Sequence, residues 1–248
     1  MISIVICSIN PANFDAVRHN LSSVLGDQPH EYIGVHDAES IAAGYNRGIK
    51  KARGERIILC HDDIEIITPE LGRILEQRFS AFDLIGVAGS TRVTGPAWVH
   101  AGPPHIFGQV AHWVANERYY DVHVWGAPAR LIPGIRVMDG VFLAGKRNVF
   151  DAVPFDEQTF RGFHLYDLDF TLRASLAGFK LAVCNDLMLI HNSAGNFDQR
   201  WIDDGQRFVA KHKASFDPSS AMAWAAMRIR IHSRAMLPGI LSSPYWKD

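Results

Sequence analysis

Short apolar runs alternate with helix-patterned segments through the first ninety residues, a rhythm that few architectures accept. ISIVIC (2–7) has the unbroken apolar character of a strand buried on both faces. From Asn13 to Leu25, the apolar residues Phe14, Val17, Leu21 and Val24 recur at helical spacing. EYIGV (31–35) is a second strand, and Ser40 then caps a helix running to about Arg53. RIILC (56–60) is a third strand, Pro69 opens a third helix, and LIGVAG (84–89) is a fourth strand. This order predicts an α/β fold with a mostly parallel central sheet and helices on both faces. Such sheets bind ligands beyond the carboxyl ends of their strands. Three strand ends therefore face a site: Ser8 to Asn10, His36 to Asp37, and His61 to Glu65.

The pattern breaks between about Ser90 and Gly134, where TGPAWVHAGPPHIFGQVAHW is dense in Gly, Pro, His and Trp. A long irregular loop over the site is expected there. VMDGVFLAG (137–145) resumes strand character, and a polar turn with FDE (155–157) follows. HLYDLDFTLRASLAGFK (164–180) carries Leu165, Leu168, Leu172 and Leu176 as the stripe of a helix that stops at Gly178. KLAVC (180–184) and the run into His191 read as strands, and Gln199 to Lys213 as a helix. The division expected is a domain over 1–214, with halves at 1–90 and 91–214, followed by a C-terminal helical tail over 215–248. Within the tail, a helix over 221–237 aligns Trp224, Met227 and Ile231 on one face and Arg230 and Arg234 on another. It suits packing on the domain, contact with a second copy in a homodimer, or peripheral contact with an anionic membrane surface.

Composition removes other classes of function. A net charge of -1 gives no electrostatic case for nucleic acid as a main partner. Cys7, Cys60 and Cys184 lie far apart in apolar runs without a C-x-x-C pair, so a structural zinc site and a disulfide framework are not suggested. Three buried thiols suit a reducing cytoplasm. No apolar stretch reaches the roughly 18 residues of a membrane span, and MISIVICSIN lacks the basic start of a signal peptide. A cytoplasmic protein is expected, with the inner membrane face as the one place of peripheral contact.

Three groups of residues carry chemistry. ILCHDDIEI (58–66) delivers His61, Asp62, Asp63 and Glu65 to one strand end, and acids set side by side repel unless a cation sits among them. A strand end entering a solvated turn explains the same residues without a ligand. Asp167 and Asp169 open a helix, where the dipole favours negative charge. At about 200° apart around the axis they cannot both aim at one reacting atom, so one can serve as base while the other caps or pairs. His191 closes an apolar run before NSAG. It is either a hydrogen-bonded structural histidine or a ligand for a divalent ion such as Mn²⁺ beside carboxylates.

In order and context, SIAAGYNRGIKKARGERIILCHDDIEI (40–66), DGVFLAGKRNVFD (139–151), HLYDLDFTLRASLAGFK (164–180) and IHNS (190–193) resemble the family-2-like glycosyltransferases of the GT-A fold, in their bacterial glycosyltransferase-like branch. The resemblance runs from about Ile2 to Lys213. It implies a metal-dependent, inverting enzyme that moves a sugar from a nucleoside-diphosphate sugar to a hydroxyl on a carbohydrate or lipid-linked glycan, as in bacterial surface polysaccharide synthesis. His61-Asp62-Asp63 falls on the family's DxD motif, which places Asp63 on the metal position for Mn²⁺ or Mg²⁺ and Asp62 on the middle one. His61 replaces the usual first aspartate. The family's Glu-Asp pair, whose Asp is the general base, falls on Tyr166-Asp167, so the resemblance makes Asp167 the base and Tyr166 a departure. It also implies that His191 completes the metal shell, Asp37 contacts the nucleotide base, and Ser8 to Asn10 begin the nucleotide pocket.

Two rivals follow from the same residues. A sugar nucleotidyltransferase on a similar sheet needs a Gly-rich basic signature after the first strand, and SINPANFDAVRHN has no glycine. A non-catalytic sugar- or partner-binding domain of this fold is what His61 and Tyr166 at motif positions leave open.

Overall fold

The computed structural model describes residues 1–126, 129–193, 195, 197–218 and 226–241. The first half alternates as expected: β1 (Ile2–Cys7), α1 (Pro11–Leu25), β2 (His30–Val35), α2 (Ile41–Lys51), β3 (Arg56–Cys60), β4 (Ile64–Ile66), α3 (Leu71–Phe79), β5 (Leu84–Gly86) and β6 (Ala88–Ser90). Next come β7 (Ile106–Val114), β8 (Tyr119–Trp125), β9 (Leu131–Pro133), β10 (Val137–Met138), β11 (Phe142–Lys146) and α4 (Arg147–Ala152). The chain then forms α5 (Tyr166–Leu176), β12 (Leu181–Cys184), β13 (Leu189–His191), α6 (Gln199–His212), β14 (Met227–Ile231) and α7 (Leu237–Leu241).

One seven-stranded sheet has the order β2-β1-β3-β11-β5-β12-β9. β1 lies parallel to β2 and β3, whereas β11 runs antiparallel to β3 and β5. Ile4, Ile6, Ile57, Leu59, Leu84 and Ile85 are fully buried, which is why these strands read as unbroken apolar runs. The helix starts follow local chemistry. Asn10 accepts from the backbone amides of Ala12 and Asn13 ahead of Pro11, and Ser40 accepts from Ala43. Gly178 adopts φ +88° just past α5.

Two expectations are corrected. Residues 90–134 are not a long irregular loop: they hold β7 and β8, the core of a second sheet. β7 pairs along its length with β8, and on its other edge with β6 and then β13. Ala111, Val122 and Val124 on one face pack in a small core with Met188, Ile190 and Leu237. On the other face Val110 opposes His123, and His112 opposes Asp121. Polar residues on the face toward the site mask the two-residue period that would have announced these strands.

The tail is the second correction. Met227 to Ile231 form a strand antiparallel to β8 rather than a helix, and Met222 and Trp224 lie outside the described residues. MRIRI alternates with period two, and β8 offers a free edge to it. Ile229 and Ile231 join the small core, whereas Arg228 binds Asp121 and Arg234 binds Glu65. No helix among the described residues is long and apolar enough to cross a membrane. The three cysteines are free, and burial pushes each thiol up, Cys7 to about 12.

α6 is locked to α5 through Asp169, which is fully buried. Its carboxylate accepts from His212 Nε2 at 2.7 Å, Lys211 Nζ at 2.6 Å and Arg173 Nε at 2.8 Å. Burial alone would raise its pKa, but the His212 hydrogen bond and the Arg173 and Lys211 charges hold it below the usual range. Asp169→Ala strands three donors, and it is expected to cost about 3–5 kcal/mol in urea or thermal unfolding. An unchanged midpoint would show that α6 is held by apolar packing alone.

Candidate active site

The acid cluster sits where the chain crosses from one sheet to the other. β3 ends at Cys60, His61 to Asp63 make the turn, and β4 joins the second sheet by pairing with β13. That pairing sets His191 opposite Ile64, hence beside Asp63. The backbone carbonyl of Asp63 also accepts from the amide and side-chain nitrogens of Asn192, both at 3.0 Å. Loop and strand end are thus fixed by main-chain bonds, leaving the Asp63 carboxylate free to face His191.

His61, Asp63 and His191 each offer a ligand atom, and these atoms lie within 4.8 Å of one another. His191 Nε2 is 3.4 Å from Asp63 Oδ1 and 3.4 Å from His61 Nδ1, and Ser193 Oγ is 3.2 Å from the same nitrogen. Burial opposes ionisation of Asp63, but hydrogen bonds from His191 and Ser193 outweigh it and hold the carboxyl well below the usual range. Burial, and then the His191 charge, lower the His61 pKa. One carboxylate and two imidazoles therefore converge from residues far apart in sequence.

On one side of this group, Ser8 donates to Asp62 Oδ2 at 2.5 Å and accepts from the Asn10 amide at 3.2 Å. The ends of β1 and β3 are thereby joined. His36 Nδ1 bonds the Ser8 carbonyl at 2.7 Å. Asp37, at the end of β2, is exposed and held by both guanidinium nitrogens of Arg47. The Asn10 side-chain oxygen is taken by the helix cap.

α5 meets the group through its first residue. Tyr166 is buried, and its hydroxyl lies 3.0 Å from His61 Nε2. Asp167 Oδ2 accepts from the Gly140 amide at 2.7 Å. Gly140 has to be glycine here, since a Cβ would stand 2.5 Å from the Tyr166 hydroxyl and 2.8 Å from Asp167 Cβ. Burial pushes the Asp167 carboxyl up to about 7, and the neighbouring Asp139 charge adds to this. Asp139 is itself held by the Val141 amide at 3.0 Å and by Trp98 Nε1 at 3.1 Å.

The structure thus gathers His61, Asp63 and His191 around one point, with Tyr166 of α5 in contact with His61 and Asp62 bonded to Ser8. Asp169 turns away, as the helical angle requires, and Glu65 points out of the group to Arg234. Sequence reasoning gave no role to Asp139 or Trp98. An acid before the glycine of DGVFLAG, at a strand end, was the one signal for Asp139.

A family model described as a glycosyltransferase-like family matches residues 3–214. No curated protein matches the chain. Among solved structures, the mannosyltransferase PcManGT from Pyrobaculum calidifontis, in complex with GDP-Man and Mn²⁺, is similar at 10% identity and TM-score 0.54. The match covers 88% of this chain and 65% of that one. A197 from STIV is similar at 12% identity over 78% of this chain and 86% of that chain, with TM-score 0.46. The mannosyltransferase likeness identifies the fold as GT-A. With the family match over most of its length, the chain belongs to the glycosyltransferase-like family and is built for glycosyl transfer.

Proposed function

We propose that this protein is a metal-dependent, inverting glycosyltransferase that uses a nucleoside-diphosphate sugar as donor and a glycan or lipid-linked glycan hydroxyl as acceptor. The observation that carries the reading is the convergence of His61, Asp63 and His191, joined by the Tyr166–His61 contact to the helix that carries Asp167. The donor set fits a divalent transition ion, with one ionised carboxylate and two imidazoles whose ligand atoms share a space of that size. Asp63 and His191 would hold such an ion, which when bound would supply positive charge where the leaving diphosphate becomes negative. That PcManGT is described with GDP-Man and Mn²⁺ supports this choice of donor and metal class.

The remaining roles are those that the family resemblance implies. Asp62 and Ser8 line the donor side, with Asn10 and Asp37 toward the nucleoside. A sugar hydroxyl is a weak nucleophile near neutral pH, so a carboxylate must take its proton as its oxygen attacks the anomeric carbon. Asp167, whose carboxyl burial pushes up to about 7, takes this role. Attack opposite the departing diphosphate inverts the anomeric centre.

A thermal-shift panel of UDP-, GDP- and dTDP-sugars, with and without Mn²⁺, tests the proposal. One nucleotide class is expected to raise the melting temperature only with the ion. At about 100 times Kd, binding to the native state adds about 2.7 kcal/mol. No shift with any donor, in either condition, would remove the reading.

A further inference from the structure

The two positions at which the sequence leaves the resembled motifs, His61 and Tyr166, touch each other. They stand 105 residues apart, and their side chains meet at 3.0 Å. The contact leaves His61 with one engaged nitrogen, Nε2, and one, Nδ1, facing His191 Nε2. With Nε2 donating its proton to the Tyr166 oxygen, Nδ1 carries a free lone pair directed into the group. Ligating histidines are commonly held in this way, by a hydrogen bond at the nitrogen away from the metal. Gly140 packs against the Tyr166 hydroxyl and leaves it little room to turn aside.

We propose that His61 is a third metal ligand through Nδ1, oriented by Tyr166, and that the resulting N,N,O site selects zinc- or cobalt-like transition ions over magnesium. This rests on the reading above that a metal binds here. The donor chemistry carries it. Magnesium favours oxygen donors in an octahedron and keeps much of its water, whereas imidazole suits transition ions. The spacing leaves room for an ion, since the three ligand atoms lie within 4.8 Å of one another. His191 Nε2 stands 3.4 Å from Asp63 Oδ1 and 3.4 Å from His61 Nδ1. Three protein ligands leave a position open, as catalytic rather than structural zinc-type sites do. In this reading Tyr166 is a positioning residue.

Visible absorption of Co²⁺ added to the full-length protein is the test, with Zn²⁺ and Mg²⁺ as competitors. The wild type should give the intense bands of low-coordinate Co²⁺, displaced by Zn²⁺ at concentrations about 100-fold or more below those of Mg²⁺. His61→Ala should lose those bands. Tyr166→Phe keeps the ring, and should weaken Co²⁺ binding by about 10-fold with altered bands. His61→Asp, which turns the site toward oxygen, should narrow the gap between Zn²⁺ and Mg²⁺. A change in packing alone would not move the bands or that ratio together. If His61→Ala leaves the wild-type spectrum intact while Asp63→Ala abolishes it, this inference fails and the metal reading stands. If the wild type binds none of the three ions, the metal reading fails with it.

Discussion

Asp167→Asn is expected to lower turnover by about 100-fold or more while leaving donor affinity little changed, because a base acts mainly in the transition state. Asn keeps the shape and can still accept from the Gly140 amide, so the first turn of α5 is preserved. Proton acceptance is what disappears. A carboxyl pushed up to about 7 is well matched to base work near neutral pH. Activity should therefore rise as pH climbs toward that value, because only ionised Asp167 takes the proton. Asp139→Asn removes a like charge and should move this acidic limb to lower pH, without returning it to 3.8, since burial remains the larger cause. Stability gives a second measurement with the opposite sign. The folded protein holds a proton on Asp167 that the unfolded chain releases between pH 3.8 and about 7, so this group's contribution to stability falls as pH rises across that window. Asp167→Asn should melt higher than the wild type at pH 8 and not at pH 4. Equal turnover loss from Asp169→Asn, with none from Asp167→Asn, would move the base to Asp169 despite its three donors.

What could be read from the sequence depended on whether a residue's surroundings were local. The first sheet was legible because β1, β3 and β5 are buried on both faces and show as continuous apolar runs. The second was not. β7 and β8 alternate Ala111, Val122 and Val124 with His112, His123 and Asp121, and a polar face turned toward the site looks like loop composition. The tail misled for a related reason: Met227 and Ile231 fit a helical spacing, but Arg228 and Arg230 between them fit a strand equally well, and the β8 edge decided the matter. At the site, Asp63, His191 and Asp167 stood out as chemistry-bearing residues at element ends. His61 and Tyr166 looked like losses when taken singly. Their meaning lies in a contact across 105 residues, which no spacing rule contains.

Asp63→Ala is expected to abolish metal-dependent binding of the donor diphosphate while leaving the fold intact. The fold should survive because the backbone of Asp63, not its side chain, anchors the turn: its carbonyl takes both Asn192 donors, and β4 pairs with β13 on its own. The ligand group does not survive. Asp63 is its one carboxylate, kept ionised by His191 and Ser193 despite burial. Without it two imidazoles remain, and they bring no negative charge to a divalent ion. Affinity for the ion should fall by at least about 100-fold, beyond the loss typical of an outer hydrogen-bond partner. A diphosphate entering the mutant then meets Asp62 with no cation between them, and like charge disfavours it. Calorimetry of the nucleoside diphosphate with Mn²⁺ should show wild-type binding that a chelator removes, and no binding by Asp63→Ala with or without the ion. The melting temperature of the mutant without ligands should stay within a few degrees of wild type, which separates a lost site from a lost fold. Unchanged affinity in a folded Asp63→Ala protein would take the metal away from this strand end altogether.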